Sequence, residues 1–365
     1  MKYKLKDIFD LQMGKTPSRN NSEYWDTEDY KWISIADLSK NGMYILDTKE
    51  YLSEKAILES GIKVIPANTV VMSFKLSIGK TAITVEDMYS NEAIMSFHDK
   101  HIVEILPEYI FYMFKYKNWD EGSNKAVMGK TLNKATLSET VIEICSIEKQ
   151  KEIVNILNKM TCIIEKRQQE LSELDTLIKA RFVEMFGDPI SNSKDFEVTE
   201  LKDILKLKAG DFTPASDISD KKTPSNPYPC FGGNGIRGYV ADYNQEGEYT
   251  LIGRQGALSG NVKFASGKFK NTEHALLVTP LIEMNSVWLN QLLVNLRLKR
   301  YQTGAAQPGL SVKNLLEIPI ISVPLSLQNE FAAFVQQIDK LRVVIQKSLD
   351  EAQYLFDSLM QEYFG

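Results

Sequence analysis

The feature that most constrains this chain is an internal repeat. Residues 128–187 align without a gap to residues 306–365 at a constant offset of 178, so that Gln150 falls on Gln328. The motif Leu-Lys-Asp-Ile also recurs near the start of each half, at an offset of 196, so the second half lacks 18 residues of the first. A duplication on this scale predicts two similar structural halves and a function with two equivalent parts.

The end of each half predicts a coiled-coil helix. From Glu148 the apolar positions step by four and three residues, which is the period of a coiled-coil seam. The predicted seam contains Ile153, Leu157, Met160, Ile164, Leu171, Leu174 and Ile178 in the first copy, and Phe331, Val335, Ile338, Ile345, Leu349 and Phe356 in the second. Arginine interrupts the seam at different levels in the two copies, which favours two antiparallel helices of one chain. At ~1.5 Å per residue, each helix is roughly 58 Å long.

Ahead of each helix, short apolar runs separated by turns indicate mixed strands and helices, among them a strand over 63–72 and a helix over 288–300. We therefore predict an α+β fold with two mixed α/β domains, two long antiparallel coiled-coil helices that separate them, and an internal pseudo-twofold repeat. The segment 213–238 is rich in proline and glycine, so we expect it to be largely loop and turn. The predicted boundaries are 1–147 for the first mixed domain, 148–187 for the first helix, 188–325 for the second mixed domain and 326–365 for the second helix.

The charge of the chain is unevenly distributed. The net charge of −5 is unfavourable for a nucleic-acid binder. However, each half contains two basic windows without any acid, at matching places, and these windows are 60–85, 122–138, 249–272 and 284–316. A solvated basic face is one interpretation, and a phosphate-facing surface in each half is the one that the matched placement favours.

The clearest candidate for base recognition is the segment 253–261, called the glycine loop below. Its glycines allow close backbone approach, Arg254 can bind guanine in a bidentate manner, and Gln255 can bind adenine. The segment 73–80 lies at the same place in the first half, and a tight hairpin with polar tips is the alternative interpretation. The full set of residues predicted to contact DNA is Lys75, Lys80, Lys125, Lys130, Asn133, Lys134, Asn234, Arg237, Arg254, Gln255, Lys263, Arg300, Gln307 and Ser311.

Metal and disulfide chemistry are not indicated. Cys145, Cys162 and Cys230 are far apart and odd in number, which fits a reduced compartment. His98 and His101 have the spacing of two ligands, but no cysteine or third histidine lies near them in the sequence. We therefore predict no metal site.

Catalytic motifs are also not indicated. There is no P-loop and no convincing nucleophile triad, so we predict no catalytic residue. The segment 231–235 resembles a loop that binds S-adenosylmethionine, but the residues after it look extended instead of helical, so we predict no bound cofactor. No apolar run approaches ~20 residues and the chain does not start with a signal segment, so we expect a cytoplasmic protein without membrane contact.

Several short motifs occur in a characteristic order along the chain. They are Gly14-x-Thr16-Pro17-Ser18, Glu23-Tyr24-Trp25, Trp32-Ile33, Gly253-Arg254-x-Gly256, Gly304-Ala305-Ala306-Gln307-x-Gly309-Leu310, and the glutamines Gln150 and Gln328 at the helix starts. In this order and in duplicate, the motifs resemble the DNA-specificity subunit of a type I restriction-modification system over essentially the whole chain.

Two motifs depart from that family's pattern. A proline pair followed by Glu-Gln typically precedes each long helix, but here only Pro324 is present, with Lys149-Gln150 and Leu327-Gln328. In place of Gly-Arg-x-Gly, the first half has Ser73-Phe74-Lys75-Leu76. The resemblance is therefore weakest at the helix starts and at the proposed contacts of the first half.

The resemblance implies two target-recognition domains, each reading one half of a split, asymmetric site in double-stranded DNA. It also implies that the antiparallel helices fix the gap between the half-sites and dock two methyltransferase subunits, to which restriction subunits are added. The methyltransferase partners bind S-adenosylmethionine and flip the adenine, so this chain is expected to be non-catalytic.

Three other functions remain open from the residues alone. They are a specificity module for a fused nuclease-methyltransferase, an enzyme with an unrecognised active centre, and a structural coiled-coil adaptor that does not bind DNA.

Overall fold

The structure is a computed structural model that describes residues 1–40, 42–75, 77–119, 124–126, 129–302 and 309–365, with the backbone alone at 124–126, 129–131 and 257. Its contacts divide the chain into two units, which are described separately. Unit 1 comprises residues 1–166 and 348–365, and unit 2 comprises residues 167–347. Each unit holds one mixed domain and one half of each long helix. Within the described ranges, no helix is long and apolar enough to cross a membrane.

The mixed domain of unit 1 combines short strands with short helices and leads into the first long helix. The elements are β1 (Lys2–Lys4), α1 (Leu5–Ile8), β2 (Phe9–Met13), β3 (Tyr30–Ile33), α2 (Ile35–Lys40), β4 (Tyr44–Ile45), β5 (Glu50–Leu52), α3 (Glu54–Ser60), β6 (Val70–Ser73), β7 (Thr81–Thr84), β8 (Tyr89–Ser90), β9 (Ile94–Asp99), α4 (Pro107–Tyr116), β10 (Asn124–Ala126), β11 (Gly129–Thr131), α5 (Lys134–Glu139), β12 (Val141–Glu143) and α6 (Ile147–Phe186).

The main sheet of unit 1 has five strands in the order β2-β9-β6-β7-β4. Strand β9 is antiparallel to both of its neighbours. Helix α4 begins at Pro107, where proline is tolerated because the first N–H groups of a helix have no intrahelical acceptor. The helix buries six consecutive side chains, and its Phe114 ring packs 4.9 Å from the ring of Phe97 on β9. The core of this domain therefore lies between the sheet and α4.

The mixed domain of unit 2 has longer strands. Its elements and the second long helix are β13 (Val198–Glu200), α7 (Leu201–Ile204), β14 (Leu205–Ala209), β15 (Tyr228–Gly232), β16 (Gly235–Val240), β17 (Gln245–Gly253), β18 (Val262–Asn271), β19 (Ala275–Pro280), α8 (Ser286–Asn295), α9 (Val312–Leu316), β20 (Pro319–Ile321) and α10 (Leu325–Phe364).

The main sheet of unit 2 has six strands in the order β14-β19-β17-β18-β15-β16. Helix α8 packs on this sheet through the buried Trp288 and Leu292. The side chain of Asn285 caps α8 by accepting hydrogen bonds from the backbone N–H groups of Val287 and Trp288 at 3.0 and 3.2 Å. The cap and the apolar face together fix where this helix begins and how it lies on the sheet.

The loop-rich segment predicted for unit 2 is largely confirmed, but it also includes paired strands. The segment 213–238, expected to be largely loop and turn, contains all of β15 and most of β16. Strand β15 pairs with β16 on one side and with β18 on the other. Proline and glycine are poor strand formers, but pairing on both sides of β15 overrides that local preference.

Two other elements are shorter than predicted. The helix expected over 288–300 ends at Asn295, because Arg297 adopts a left-handed backbone conformation with φ of 51°. The strand expected over 63–72 is formed only at Val70–Ser73. Asn68, with φ of 60°, interrupts the extended backbone just before it.

The two mixed domains repeat the same order of elements at the offsets found in the sequence. β2, β9, β6 and β7 of unit 1 correspond to β14, β19, β17 and β18 of unit 2, and these strands have the same order in both sheets. Helices α4 and α5 correspond to α8 and α9. In unit 1, β3, β5 and β8 form a separate three-stranded sheet, in which β3 pairs in parallel with β8 as β15 pairs with β18 in unit 2.

The two long helices run antiparallel within each unit. In unit 1, Lys149 near the start of α6 lies over the ring of Tyr363 near the end of α10, at 5.9 Å. In unit 2, Phe182 near the end of α6 packs 5.6 Å from Phe331 near the start of α10. The predicted α+β class, with two mixed domains and two long antiparallel helices, is confirmed.

Every side chain predicted for the seam is buried or half-buried. Two of the arginines that interrupt the seam reach acids of the opposite helix. Arg342 donates to Asp175 at 2.6 Å, and Arg181 donates to Glu330 at 3.1 Å. Because both carboxylates are exposed, each arginine keeps its charge near water while its stem lies along the seam.

Candidate nucleic-acid interface

A glycine packs against backbone at the same place in each unit. In unit 2, a Cβ on Gly210 would lie 2.1 Å from the carbonyl oxygen of Asn271, and in unit 1 a Cβ on Gly14 would lie 2.3 Å from the carbonyl oxygen of Ser90. The next residue in each unit donates its N–H across the same junction, Asp211 to Asn271 and Lys15 to Ser90. Only glycine permits this approach, so the junction fixes the path of the following loop.

An acidic side chain holds that following loop in each unit. In unit 1, the hydroxyl of Thr16 donates to Glu92, and this hydrogen bond lowers the pKa of the Glu92 carboxyl from its usual value. In unit 2, the backbone N–H of Thr213 donates to Glu273 at 3.3 Å. The loops after β2 and β14 are thus tied to the turns that precede β9 and β19.

The glycine loop of unit 2 lies beside the turn between β15 and β16. A Cβ on Gly253 would lie 2.4 Å from the carbonyl oxygens of both Gly233 and Leu258, so the two loops approach each other at backbone distance. The side-chain amide of Gln302 holds the far side of the loop by donating to the carbonyl oxygen of Ser259 at 2.8 Å. These contacts define one end of the six-stranded sheet, called the loop end below.

The loop end also includes the turn that precedes α9. Leu310 donates its backbone N–H to the carbonyl oxygen of Arg254 at 3.1 Å. Arg254 in turn donates its N–H to the carbonyl oxygen of His274 at 3.0 Å. Gln255 forms a bridge with Gly309. Because their backbones are held on both sides, Arg254 and Gln255 present their side chains from a fixed position.

The described residues predicted to contact DNA in unit 2 lie at or next to this loop end. Besides Arg254 in the glycine loop, they are Asn234 in the β15–β16 turn, Arg237 on β16, Gln255 in the glycine loop, Lys263 on β18, Arg300 in a 3-10 turn after α8, and Ser311 at the start of α9. Arg254 and Ser311 are half-buried, and the other five are exposed. Gln307 lies outside the described residues.

In unit 1, Lys75 follows β6 and Lys80 precedes β7. The ammonium group of Lys75 lies 5.2 Å from the centre of the Phe74 ring, and that of Lys80 donates to the hydroxyl of Ser39. Both side chains are half-buried, so they are less available to a phosphate than the exposed Lys263 of unit 2.

Asn133 and Lys134 of unit 1 lie at the start of α5. The side chain of Asn133 caps that helix by accepting a hydrogen bond from the N–H of Thr136 at 2.8 Å, and Ser311 is the equivalent cap residue of α9 in unit 2. Asn133 therefore has a structural role in addition to the predicted contact, whereas the side chain of Ser311 makes no capping hydrogen bond to α9. The side chains of Lys125 and Lys130 lie outside the described residues.

Three residues at the loop end of unit 2 were missed by sequence reasoning. Asn261 donates its side-chain amide to Asn234 at 2.8 Å, and Gln302 braces the glycine loop. Phe212 is 76% exposed, although the residues on both sides of it are hydrogen-bonded to the turn before β19. Asn261 lies within the quoted loop and could have been included, whereas the partners of the other two are distant in sequence.

Histidine, cysteine and acidic side chains are the residues that could hold a metal ion or act as a nucleophile. Among the residues that the structure describes, no group of three or more histidine, cysteine or acidic side chains could hold a metal ion. His98 is half-buried beside Ser96, and burial lowers the pKa of its imidazole. Burial also acts on Cys230, where it raises the pKa of the thiol and so makes this thiol a poorer nucleophile.

Comparison with known proteins gives a consistent result. The sequence model of the family described as "Type I restriction modification DNA specificity domain" matches residues 1–175 and 193–352. The specificity subunit of the Escherichia coli type I restriction enzyme EcoprrI is 31% identical over 351 residues, which cover 92% of this chain and 87% of that protein.

Two solved structures share the fold over the full length of the chain. The S subunit of a type I restriction-modification system from M. genitalium has a TM-score of 0.60 at 16% identity and is covered to 96%. A structure that addresses complex assembly and conformational transition of the type I R-M system has a TM-score of 0.63 at 16% identity and is covered to 97%.

Proposed function

Because this chain belongs to the family of type I restriction-modification DNA specificity subunits, we propose that it reads a split, asymmetric DNA site, with one half-site bound by each unit. The observation that carries this proposal is that the two units repeat one backbone framework with different side chains at the equivalent positions. A symmetric DNA site would require the same side chains at these positions in both units. A purely structural adaptor would not require the same backbone framework in both units.

The equivalence can be followed bond by bond. In unit 2, Arg254 donates to His274 and accepts from Leu310 through its backbone. In unit 1, Phe74 donates to Ala93 and accepts from Leu132 in the same way. Phe74 and Arg254 therefore occupy the same place in the framework. Arginine can recognise guanine through two hydrogen bonds, whereas a buried phenylalanine cannot, so the two units are suited to different sequences.

In this proposal the contacts in unit 2 divide into two kinds. Arg254 and Gln255, with backbones fixed at the loop end, read base edges. Lys263 and Arg300, which are exposed and lie around that end, bind phosphates and contribute equally on all sequences. In unit 1, Lys75 and Lys80 are the proposed DNA contacts of the equivalent loop, and Lys134 adds a phosphate contact.

The long helices are proposed to set the distance between half-sites and to dock the partner subunits. The mixed domains at 1–147 and 188–325 are the target-recognition domains, and the helices at 148–187 and 326–365 form the spacer. Helix α10 exposes Leu341, Val343 and Val344 at 52%, 71% and 66%. Apolar side chains exposed to this extent along one segment support a protein interface there. Two methyltransferase subunits are the proposed partners, to which restriction subunits are added.

The chain itself is proposed to be non-catalytic. Its partners would bind S-adenosylmethionine and modify the base, which agrees with the family membership and with the catalytic motifs that the sequence lacks. The specificity it provides would act by positioning the partner enzyme over the target base.

The decisive experiment compares the methylated DNA motifs of the host with and without this gene. We expect one split, asymmetric motif to disappear when the gene is deleted and to return when the gene is supplied on a plasmid. A plasmid gene carrying Arg254→Ala should restore methylation of a motif that is altered in only one half. If no motif depends on the gene, or if both halves change together, the proposal is wrong.

A further inference from the structure

We propose that Asn234 and Asn261 of unit 2 act together as a base-reading amide pair, and that the pair recognises adenine in an A·T base pair through the major groove. This inference rests on the proposed function and deepens it, because it names the base that one position of the second half-site requires. The side-chain amide of Asn261 donates to the side-chain carbonyl of Asn234 at 2.8 Å, and Asn234 is exposed.

The backbone of Asn234 is held in a tight turn. Gly232 pairs with Gly235 across the β15–β16 hairpin, so only Gly233 and Asn234 connect the two strands. Gly235 has a φ of 99°, which a residue with a side chain rarely adopts. A turn this short leaves the backbone little freedom, so the side chain of Asn234 leaves the hairpin at a defined point.

The backbone of Asn261 is held equally well. Its carbonyl oxygen accepts from Gly253 at 2.8 Å and its N–H donates to Leu258 at 3.2 Å, just before β18 begins. Gly253 also packs against the carbonyl oxygen of Gly233, next to Asn234. The same glycine therefore positions both asparagines, which lie far apart in sequence and on neighbouring loops.

When two side-chain amides bond to each other, their remaining donors and acceptors form a defined pattern that a ligand can match. If Asn261 donates to Asn234, then Asn234 retains N–H donors and Asn261 retains a carbonyl acceptor. If both amides are rotated, the donor and the acceptor exchange places. In either state the pair presents one donor beside one acceptor. Adenine presents the complementary pattern in the major groove, with N7 as acceptor and the N6 amino group as donor, whereas guanine presents two acceptors there.

The surroundings of the pair suit the rest of an A·T base pair and its backbone. Leu258 is 44% exposed, and its Cβ lies 3.7 Å from the position that a Cβ on Gly233 would take. This side chain offers apolar contact for the thymine methyl group. The stem of Lys263 lies 3.7 Å from the position that a Cβ on Gly235 would take, and the exposed side chain of Lys263 can reach a phosphate.

Unit 1 has a different residue at the corresponding place. Ser73 donates its N–H to the carbonyl oxygen of Lys80, as Gly253 does to Asn261. Lys80 therefore takes the place of Asn261, and its ammonium group donates to Ser39. A lysine there cannot present a donor beside an acceptor, so the amide pair is specific to the half-site of unit 2.

The test uses the full chain in complex with its methyltransferase subunits. The wild-type motif is first read from the host, and duplexes with each of the four base pairs at every position of the motif are then assayed for binding and methylation. We expect Asn234→Ala and Asn261→Ala to reduce discrimination by about tenfold to a hundredfold at one A·T position in one half-site. All other positions should keep their preference.

Asn261→Asp provides a second variant of nearly equal size. An aspartate supplies acceptors where the amide supplied a donor and an acceptor, so we expect preference at the same position to move toward C·G, whose cytosine amino group is a donor. Asn155→Ala, on the exposed face of α6, is the matched control and should leave all preferences unchanged.

The outcomes separate the inference from the proposed function. If the wild-type complex shows no split motif, the proposed function is wrong and the inference fails with it. If the wild-type motif is split but both alanine variants retain full discrimination at every position, the inference alone is overturned. It is also overturned if both variants lose affinity equally on all sequences, since phosphate contact would then explain the two residues.

Discussion

Replacing Gln150 by leucine should destabilise unit 1 by removing the hydrogen bonds that attach the first long helix to its mixed domain. Gln150 is fully buried. Its side-chain carbonyl accepts from the N–H of Leu106 at 2.9 Å, just before α4. Its amide donates to the carbonyl oxygens of Glu104 at 2.9 Å and Cys145 at 3.0 Å. One side chain thus joins the start of α6 to the segment that leads into α4.

The magnitude follows from these three bonds. Leucine is close to glutamine in volume, so it leaves no large cavity, but it leaves three backbone groups buried without partners. At about 1 kcal/mol for each, the lower end of the usual range, the loss in free energy of unfolding is about 3 kcal/mol. For a unit of this size that corresponds to a decrease in Tm of roughly 6–12 °C.

The assay is hydrogen exchange of each unit, combined with denaturant unfolding of the whole chain. We expect Gln150→Leu to accelerate exchange in α4 and in the start of α6. Gln169→Leu is the matched control, because Gln169 is exposed on the same helix and should change stability by less than about 0.5 kcal/mol. If Gln150→Leu lowered the free energy of unfolding by no more than the control does, the buried bonds would have no net stabilising role.

Gln150→Glu tests the same site through its pH dependence. A buried carboxylate would face two carbonyl oxygens, which favours the protonated form and raises the folded-state pKa above the unfolded value. The folded variant then binds more protons than the unfolded one between these two pKa values, so its stability falls as pH rises through that window. The variant should be close to wild type in stability below the unfolded pKa and clearly weaker at pH 8. A pH-independent loss would refute this explanation.

Three further predictions concern unit 2. Lys263→Ala should weaken binding of all sequences equally and reduce the salt dependence of binding by about one counterion, as measured by titration at several salt concentrations. Arg254→Ala should instead relax preference at one position of one half-site, and unchanged preference would exclude it from base recognition. Gly210→Ala should lower the Tm of the chain by several degrees, because its Cβ would lie 2.1 Å from the carbonyl oxygen of Asn271; an unchanged melting curve would show that the junction can open at little cost.

The parts of the fold that could be predicted are those with a local signal. The seam of α6 and α10 has a regular period along the sequence, and the helices run from Ile147 to Phe186 and from Leu325 to Phe364. The antiparallel direction also follows from the sequence, because the arginines occur at different levels. Arg342 and Arg181 reach acids of the opposite helix, which a parallel pair of identical seams would not have required.

The parts that could not be predicted depend on contacts between distant residues. Strand β15 contains Pro229 and Gly232, and it is paired with β18 on one side and with β16 on the other. Similarly, Gln302 lies 43 residues from its partner Ser259 in the glycine loop. Composition reports local preference only, so it gives no information on pairings of this kind.

The hydrogen bonds also fix the alignment of the two halves at the position proposed to read a base. The shared backbone bonds place Phe74 opposite Arg254, in agreement with the order Ser73-Phe74-Lys75-Leu76 that replaces Gly-Arg-x-Gly in the first half. Phe74 is 1% exposed and belongs to the core of unit 1. An arginine at that position would have to bury its charge, which is strongly unfavourable without a partner. Exchanging Phe74 and Arg254 would therefore not be enough to exchange the specificities of the two units. The core that packs behind each loop differs between the units as well. Specificity in this chain is consequently a property of each whole mixed domain, whereas the glycine junctions and the glutamines at the helix starts keep the two frameworks equivalent.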